Sequence, residues 1–563
     1  MNIFNKYIKK NYLKITSCFA AISLFVYYVY LANNLLFNSD DLDILININN
    51  TPFPLGDWLN GGQGYFRPIS VFVIYLTKNI FGFYPLVYYL LNITLHFINA
   101  YILLRILKYQ YRRKLISNEN IIYYISLIFL ILPNNQLNVF WVSEIHDILA
   151  TLFGLLSVLF GIKYDFENKI IQLIVSLFFF VIALMAKETA LLIICYFILI
   201  DFVYYFNNNF NKRILRNHIM YVLMIIIYFI YKIITFGSIL TNNLTFTINI
   251  RNSLSLIWQI IFPVDFLDYV GAYTYSSYFF AVLTILLITF ILLLSIIYFK
   301  EKRDLKIRIF YIVLFFFSII ILNSNILFSP RLLYIILPIF LFVLTLFDGL
   351  WISRKLFLKT ITIVYLALIS IGQYYNYGKI ITIKNYYIEN KLFVENNKDK
   401  LMNKKILDLT VIERIGLFHV YINKNQLIGM ISNTWLENRS NNVIAPFYLL
   451  ISVYDEEYKS LLKYNFNHKD NSLIIGIKND YSVIDYEKQL NVLPQIKVFK
   501  YFKDSIYAEE CLLFDEIRKK RCKKIKIKIN KELKKEMLIV YYKNGNIVIE
   551  DYDSFISYIE NDM

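Results

Sequence analysis

Runs of roughly 20 apolar residues recur along the first two thirds of the chain, and a helix of that length crosses the ~30 Å hydrocarbon layer of a bilayer. Nothing else in the sequence restricts the fold as strongly. The runs predict spanning helices near Ile15–Phe37, Tyr84–Arg105, Ile121–Pro133, Ile145–Ile162, Ile170–Ala186, Thr189–Phe206, His218–Phe236, Tyr278–Phe299, Ile309–Leu322, Leu332–Phe347 and Lys359–Tyr375, about eleven in all. The first run follows "MNIFNKYIKKNYLK" and has the outline of a signal peptide. It is long enough to span and lacks a small-residue cleavage site, so an uncleaved helix is expected.

With 58% hydrophobic and 18% charged residues, the chain is more apolar than soluble domains usually are. Its net charge of +17 raises nucleic acid as a partner, but the basic residues lie in short clusters between apolar runs, not on one soluble face. The membrane reading explains them. With a cytoplasmic N-terminus, segments such as "RILKYQYRRK" and "KEKRDLKIR" put about 22 Lys and Arg inside, against about six outside. That orientation places the first loop, residues 38–83, on the outer face, and an odd number of spans places the C-terminal region there too. With no targeting or retention signal in the sequence, a bacterial plasma membrane is expected.

From about Gly378 the composition changes. Lys, Asn, Asp and Glu become frequent, and short alternating runs such as "KIKIKIN" replace the long apolar ones. Asn544-Gly545, between β-rich flanks, predicts a hairpin. The expectation is a polytopic α-helical membrane domain over residues 1–377, followed by an extracytoplasmic α/β domain over 378–563. Cys511 and Cys522 are candidates for a disulfide or for free thiols. The basic stretch "RKKRCKKIKIKIN" suits either a solvated strand face or anionic lipid heads. The region has no spaced metal-ligand set and no Gly-rich phosphate loop.

Unusual polar residues gather in the outer connections of the membrane region. The first loop opens with Asp40, Asp41 and Asp43 and ends in "GGQGYFRPIS", where Pro68 breaks any helix entering from Arg67. The following "VFVIYLTKNIFGFYP" is expected to lie along the interface. Asn92, His96 and Asn99 share one face of the next helix, either as interhelical hydrogen-bonding groups or as cavity lining. Glu144, His146 and Asp147 cluster in the second connection. They suit a helix cap bordering the cavity better than a metal site, since no further ligand follows at a recognised spacing. Lys187 and Glu188 stand side by side at a turn, where an adjacent ion pair is the plain reading, and Arg331 sits at a helix end, from which it can snorkel.

The order of "DD", "YFRPIS", "IFGFYPLVYYLLNITLHFINAYIL", "FWVSEIHDILATLF", "AKETALLIICYFILIDF" and "SPRLLYIILP" resembles the membrane core of the GT-C glycosyltransferases. It is most similar to the protein O-mannosyltransferase branch and, within it, to the tetratricopeptide-repeat transmembrane O-mannosyltransferases. The resemblance runs from about Asn38 to about Pro338. It implies a polyprenyl-phosphate sugar as donor, a protein or glycan acceptor at the outer face, and a catalytic acidic pair matching Asp40 and Asp41. It also implies Arg67 and Lys187, with Arg331 behind them, as contacts for the donor phosphate. Asn92, His96, Glu144, His146, Asp147 and Glu188 would line the cavity. Two departures stand out: His146 occupies the place where the family usually has Arg, and the helical repeats are replaced by the C-terminal region.

This chemistry is coherent. Transfer to a hydroxyl needs a base, and two neighbouring carboxylates raise the proton affinity of one of them. The lipid phosphate leaving group calls for fixed cations. With Arg and Lys in place a metal need not be required, and a divalent ion stays open as a cofactor. Two other classes fit the composition. A transporter or flippase would show repeated hydropathy halves and mid-bilayer polar residues, neither of which is visible. A non-catalytic scaffold would not need the acidic pair.

Overall fold

A computed structural model describes residues 2–33, most of 67–192, 212–236, 334–345 and much of 363–381, isolated positions within 35–48 and 384–396, and the strands and final helix of 405–561. Asp40, Asp43, Arg331 and the expected spans at 278–299 and 309–322 lie outside the described residues. The chain divides into two compact units. The first comprises Met1–Leu35, Asn50–Asp265 and Tyr275–Ile381, and the second comprises Leu36–Asn49, Phe266–Thr274 and Thr382–Met563.

The first unit is helical. Its described helices are α1 (Asn2–Ala32), α2 (Pro68–Phe81), α3 (Pro85–Arg112), α4 (Glu119–Ile131), α5 (Pro133–Val139), α6 (Ile145–Glu167), α7 (Ile170–Ala186), α8 (Lys212–Phe236) and α9 (Leu337–Thr345). Residues 365–374 are also helical. Among the described residues, three stretches are long and apolar enough to cross a membrane: Tyr12–Ala32, Pro85–Arg112 and Val142–Glu167. The run expected to span to Pro133 stops sooner, because Pro133 opens α5 as its first residue, where a missing N–H costs nothing. The helix expected to end at Arg105 runs on to Arg112.

Burial separates central from peripheral helices. In the apolar window of Val142–Glu167 83% of residues are buried, against 17% in Tyr12–Ala32, so α6 is the inner helix and α1 an outer one. Alpha6 can pack closely because Ala150, Gly154, Ser157 and Gly161 put small residues along one buried seam, which is how helices approach where lipid removes the hydrophobic drive. Along this packing, the hydroxyls of Ser157, Ser176 and Tyr221 join α6, α7 and α8 in a buried cluster. The outward faces stay apolar: Ile170, Ile171, Ile174 and Phe178 of α7 are each more than half exposed. In water such a ridge would be an aggregation surface, whereas in lipid it is matched to its solvent.

Alpha2 packs on α7, buries Pro68, Ser70, Ile74 and Thr77, and leaves Phe72, Leu76 and Ile80 exposed. It closes at Gly82, whose φ of 63° suits a residue without Cβ, and the Gly82 carbonyl accepts the Tyr88 hydroxyl at 2.8 Å.

The second unit contains the sheets. In one, Lys405–Asp408 runs parallel to both Val443–Ile444 and Met537–Lys543, and Met537–Lys543 pairs antiparallel with Asn546–Asp551. Lys543 stands opposite Asn546, so the connection is the two residues of the expected Asn-Gly hairpin. A five-stranded sheet and an antiparallel four-stranded sheet follow, with the "KIKIKI" strand Lys524–Ile529 inside the latter. Cys511 and Cys522 belong to strands of different sheets. The last helix, α10 (Tyr552–Asn561), buries Tyr552, Phe555 and Ile559, with Phe555 stacked edge-on to Tyr541 at 4.4 Å.

Candidate functional site

The helix pair α6–α7 brings distant residues together. The chain turns back at Asn168, which adopts the left-handed conformation (φ 54°) that Asn tolerates. The start of α6 therefore lies beside the end of α7. Glu144 precedes α6, Asp147 sits in its first turn, and Lys187 follows α7 in an extended conformation. Alpha2 reaches the same end, because Ser70 Oγ donates to the Ala186 carbonyl at 3.1 Å. This contact carries Arg67, the residue before α2, to the same place.

Lys187 Nζ donates to Asp147 Oδ2 and lies 3.9 Å from Glu144. The pair is deeply buried, with 9% of the Lys187 side chain and 1% of the Asp147 side chain exposed. A buried ammonium is tolerable only with an anion beside it, and Asp147 is further stabilised by the N-terminal end of the α6 dipole. Arg67 pairs instead with Glu188 at 3.6 Å, and both side chains keep about a fifth to a quarter of their surface, 22% and 24%. The ion pair expected between the adjacent Lys187 and Glu188 is thus exchanged for two pairs, each made with a residue from another helix. His146 is buried in the field of Arg67, Lys187 and Glu144. Asp147 Oδ1, His146 Nδ1 and Thr151 Oγ1 are buried without a hydrogen-bond partner among the described residues.

Asn92, His96 and Asn99 occupy a second polar region. Asn92 Nδ2 donates to the Trp141 carbonyl at 2.9 Å, and Asn99 Nδ2 donates to the Ile148 carbonyl at 3.1 Å. His96 Nδ1 is 2.7 Å from the Tyr334 hydroxyl, and the Tyr28 hydroxyl donates to the Leu130 carbonyl at 2.7 Å. These are the interhelical bonds that polar residues make inside a membrane bundle. Gln373 of 365–374, Asn376 just beyond it and Gln136 of α5 extend the same kind of contact to α4 and α5.

No protein-family model and no curated protein matches this chain.

Arg67, Glu144, His146, Asp147, Lys187 and Glu188, drawn from three separate connections, meet at one end of the bundle. Asp41 is buried and groups with the second unit, and Asp40 and Arg331 lie outside the described residues. Sequence reading missed Ser70, Thr151 and Tyr334. The only signal for Ser70 was its place next to the helix-opening Pro68, and Tyr334 was one tyrosine among 48. Among the described residues, no group of three or more His, Cys, Asp or Glu is arranged to hold a metal ion.

Proposed function

We propose that the protein is a membrane glycosyltransferase of GT-C type, moving a sugar from a polyprenyl-phosphate donor to a protein or glycan acceptor at the outer face of a bacterial plasma membrane. In this reading the chain crosses the membrane about eleven times. Its N-terminus is cytoplasmic and its C-terminal α/β domain lies outside. The observation that carries the proposal is the convergence of Arg67 and Lys187, two cations from different connections, at one end of the bundle.

The two cations suit different duties. Lys187 is held in a buried pair, and releasing it would leave the Asp147 carboxylate without its ammonium. Arg67 is in a looser, partly exposed pair with Glu188, which a phosphate oxygen can replace. Arg67 is therefore the exchangeable phosphate contact, and Lys187 supplies fixed positive charge behind it. In the reaction, Asp40 takes the acceptor hydroxyl proton while the oxygen attacks the anomeric carbon, and Asp41 orients Asp40 or shares its proton. The bond from the anomeric carbon to the phosphate oxygen breaks, and the lipid phosphate leaves with the electron pair. Charge growing on that phosphate is what Arg67 and Lys187 stabilise.

The test uses purified full-length protein, labelled polyprenyl-phosphate sugars and a membrane extract as acceptor. Transfer by the wild type that is lost in both Asp40→Asn and Arg67→Gln supports the reading. Transfer unchanged by Asp40→Asn sinks the catalytic assignment, and no transfer from any donor sinks the activity.

A further inference from the structure

Arg113, just past the end of α3, pairs with Asp165 in the last turn of α6 at 3.0 Å, so this end of the bundle lies away from Asp147 in the first turn of α6. Along α3, Ile98, Tyr101, Arg105 and Lys108 follow at spacings of three, four and three, which puts them on one helical face. Ile98 and Tyr101 are exposed, and Arg105 and Lys108 are partly so. Arg105 donates to the Tyr101 hydroxyl at 3.1 Å, and Lys108 Nζ lies 5.1 Å from the centre of the Tyr123 ring of α4. Lys14 of α1 reaches the same place, with its Nζ 3.8 Å from Glu119, the first residue of α4.

The charges here do not balance. Lys108 stands in the field of Lys14 and Arg105, and Glu119 is the one carboxylate acting on it among the described residues. Glu119 and Lys14 keep 45% and 50% of their side-chain surface, and an exposed pair of this kind contributes about 1 kcal/mol or less. The carboxylates at the end of α6 are engaged elsewhere, Asp165 with Arg113 and Glu167 with Lys169. Three cations from two helices thus meet one loosely held carboxylate, and an added anion relieves their mutual repulsion. Further along each helix the exposed surface is apolar. Phe19 and Ile22 follow Lys14 on α1, and Tyr101 and Ile98 precede Arg105 on α3, within stretches long and apolar enough to cross a membrane. An anion that matches both parts of this surface carries hydrocarbon chains.

We propose that Lys14, Arg105 and Lys108 form a binding site for the phosphate of an anionic phospholipid, whose acyl chains lie along the exposed apolar residues of α1 and α3. Arg105 presents its remaining N–H donors to the phosphate oxygens, while Lys14 and Lys108 add compact charge. Basic pockets between membrane helices hold lipid headgroups in this way, and each cation strengthens binding about fivefold. The inference does not depend on sugar transfer.

The experiment titrates the full-length protein, purified in a neutral detergent and stripped of lipid, with phosphatidylglycerol or phosphatidylcholine, and reads bound lipid by native mass spectrometry. The expected result is one phosphatidylglycerol per chain, held about 25-fold more tightly than phosphatidylcholine. Arg105→Gln and Lys108→Gln should each lower that preference about fivefold, and the double variant should abolish it. Exchanging the two cations, Arg105→Lys with Lys108→Arg, should keep it, as should Lys163→Gln, which removes a cation on α6 outside the site. Equal affinity for the two lipids in the wild type overturns the proposal without requiring any variant to fold. A preference that survives both Gln substitutions overturns the assignment to these residues. Glycerophosphoglycerol, the same headgroup without chains, displacing the lipid at equal concentration overturns it in favour of a soluble phosphate.

Discussion

Lys187 and Asp147 are 40 residues apart in the chain, yet the lysine donates its hydrogen bond to the aspartate in a buried pair at the junction of α6 and α7. The contact closes the helix pair at the end where Arg67 and Glu188 also meet.

Removing one partner of this pair should be costly. Lys187→Met leaves the Asp147 carboxylate buried without the ammonium it accepts from, a loss of about 3–5 kcal/mol. Adding Asp147→Asn should recover much of it. Thermal unfolding of the single and double variants in detergent measures the coupling, and additive losses would show that the two side chains do not act as a pair.

Arg67→Gln should behave differently. Its pair with Glu188 is partly exposed and worth about 1 kcal/mol or less. Stability should barely change, while sugar transfer should fall by roughly 100-fold or more if Arg67 stabilises the leaving phosphate. Parallel melting and transfer assays separate the two effects. A variant that melts early and transfers normally would mark Arg67 as structural.

Tyr334→Phe removes a hydroxyl that His96 Nδ1 and Asn99 Nδ2 both approach, at 2.7 and 3.3 Å. Hydrogen bonds between membrane helices average about 0.6 kcal/mol and reach about 2, so a loss in that range is expected. Donor affinity, read by labelled-lipid binding at saturating protein, should be preserved.

A pH effect is expected at α10. The Ser554 N–H donates to Asp551 at 2.7 Å, and the Ser554 backbone and hydroxyl together hold the Asp551 carboxyl below its ordinary range. A carboxyl whose pKa is lower in the folded state stabilises fully above its unfolded value, about 3.9, and loses that contribution as pH falls through the folded value. The protection of α10 amides from hydrogen exchange, relative to their intrinsic rates, should therefore fall in acid below about pH 4. Asp551→Ala should quicken it already at neutral pH, by the equivalent of about 1 kcal/mol, and remove the acid dependence.

The sequence by itself determined the membrane character, the helical periods and the hairpin at Asn544-Gly545, because length, apolarity and turn preference are local properties of a segment. It also marked Arg67, Glu144, His146, Asp147, Lys187 and Glu188 as polar residues at helix ends. Their partners were not legible. Adjacency pointed to a Lys187–Glu188 pair, but Lys187 is extended while Glu188 opens a 3-10 turn, and packing of α2 and α6 against α7 gave each its own partner. The same holds for Asn92, His96 and Asn99: a shared helical face followed from their spacing, but the carbonyls of Trp141 and Ile148 and the Tyr334 hydroxyl came from elsewhere in the chain. Only the tertiary structure decides such pairings, because a buried charge or amide is satisfied by whichever group the packing brings within about 3 Å, regardless of its distance in sequence.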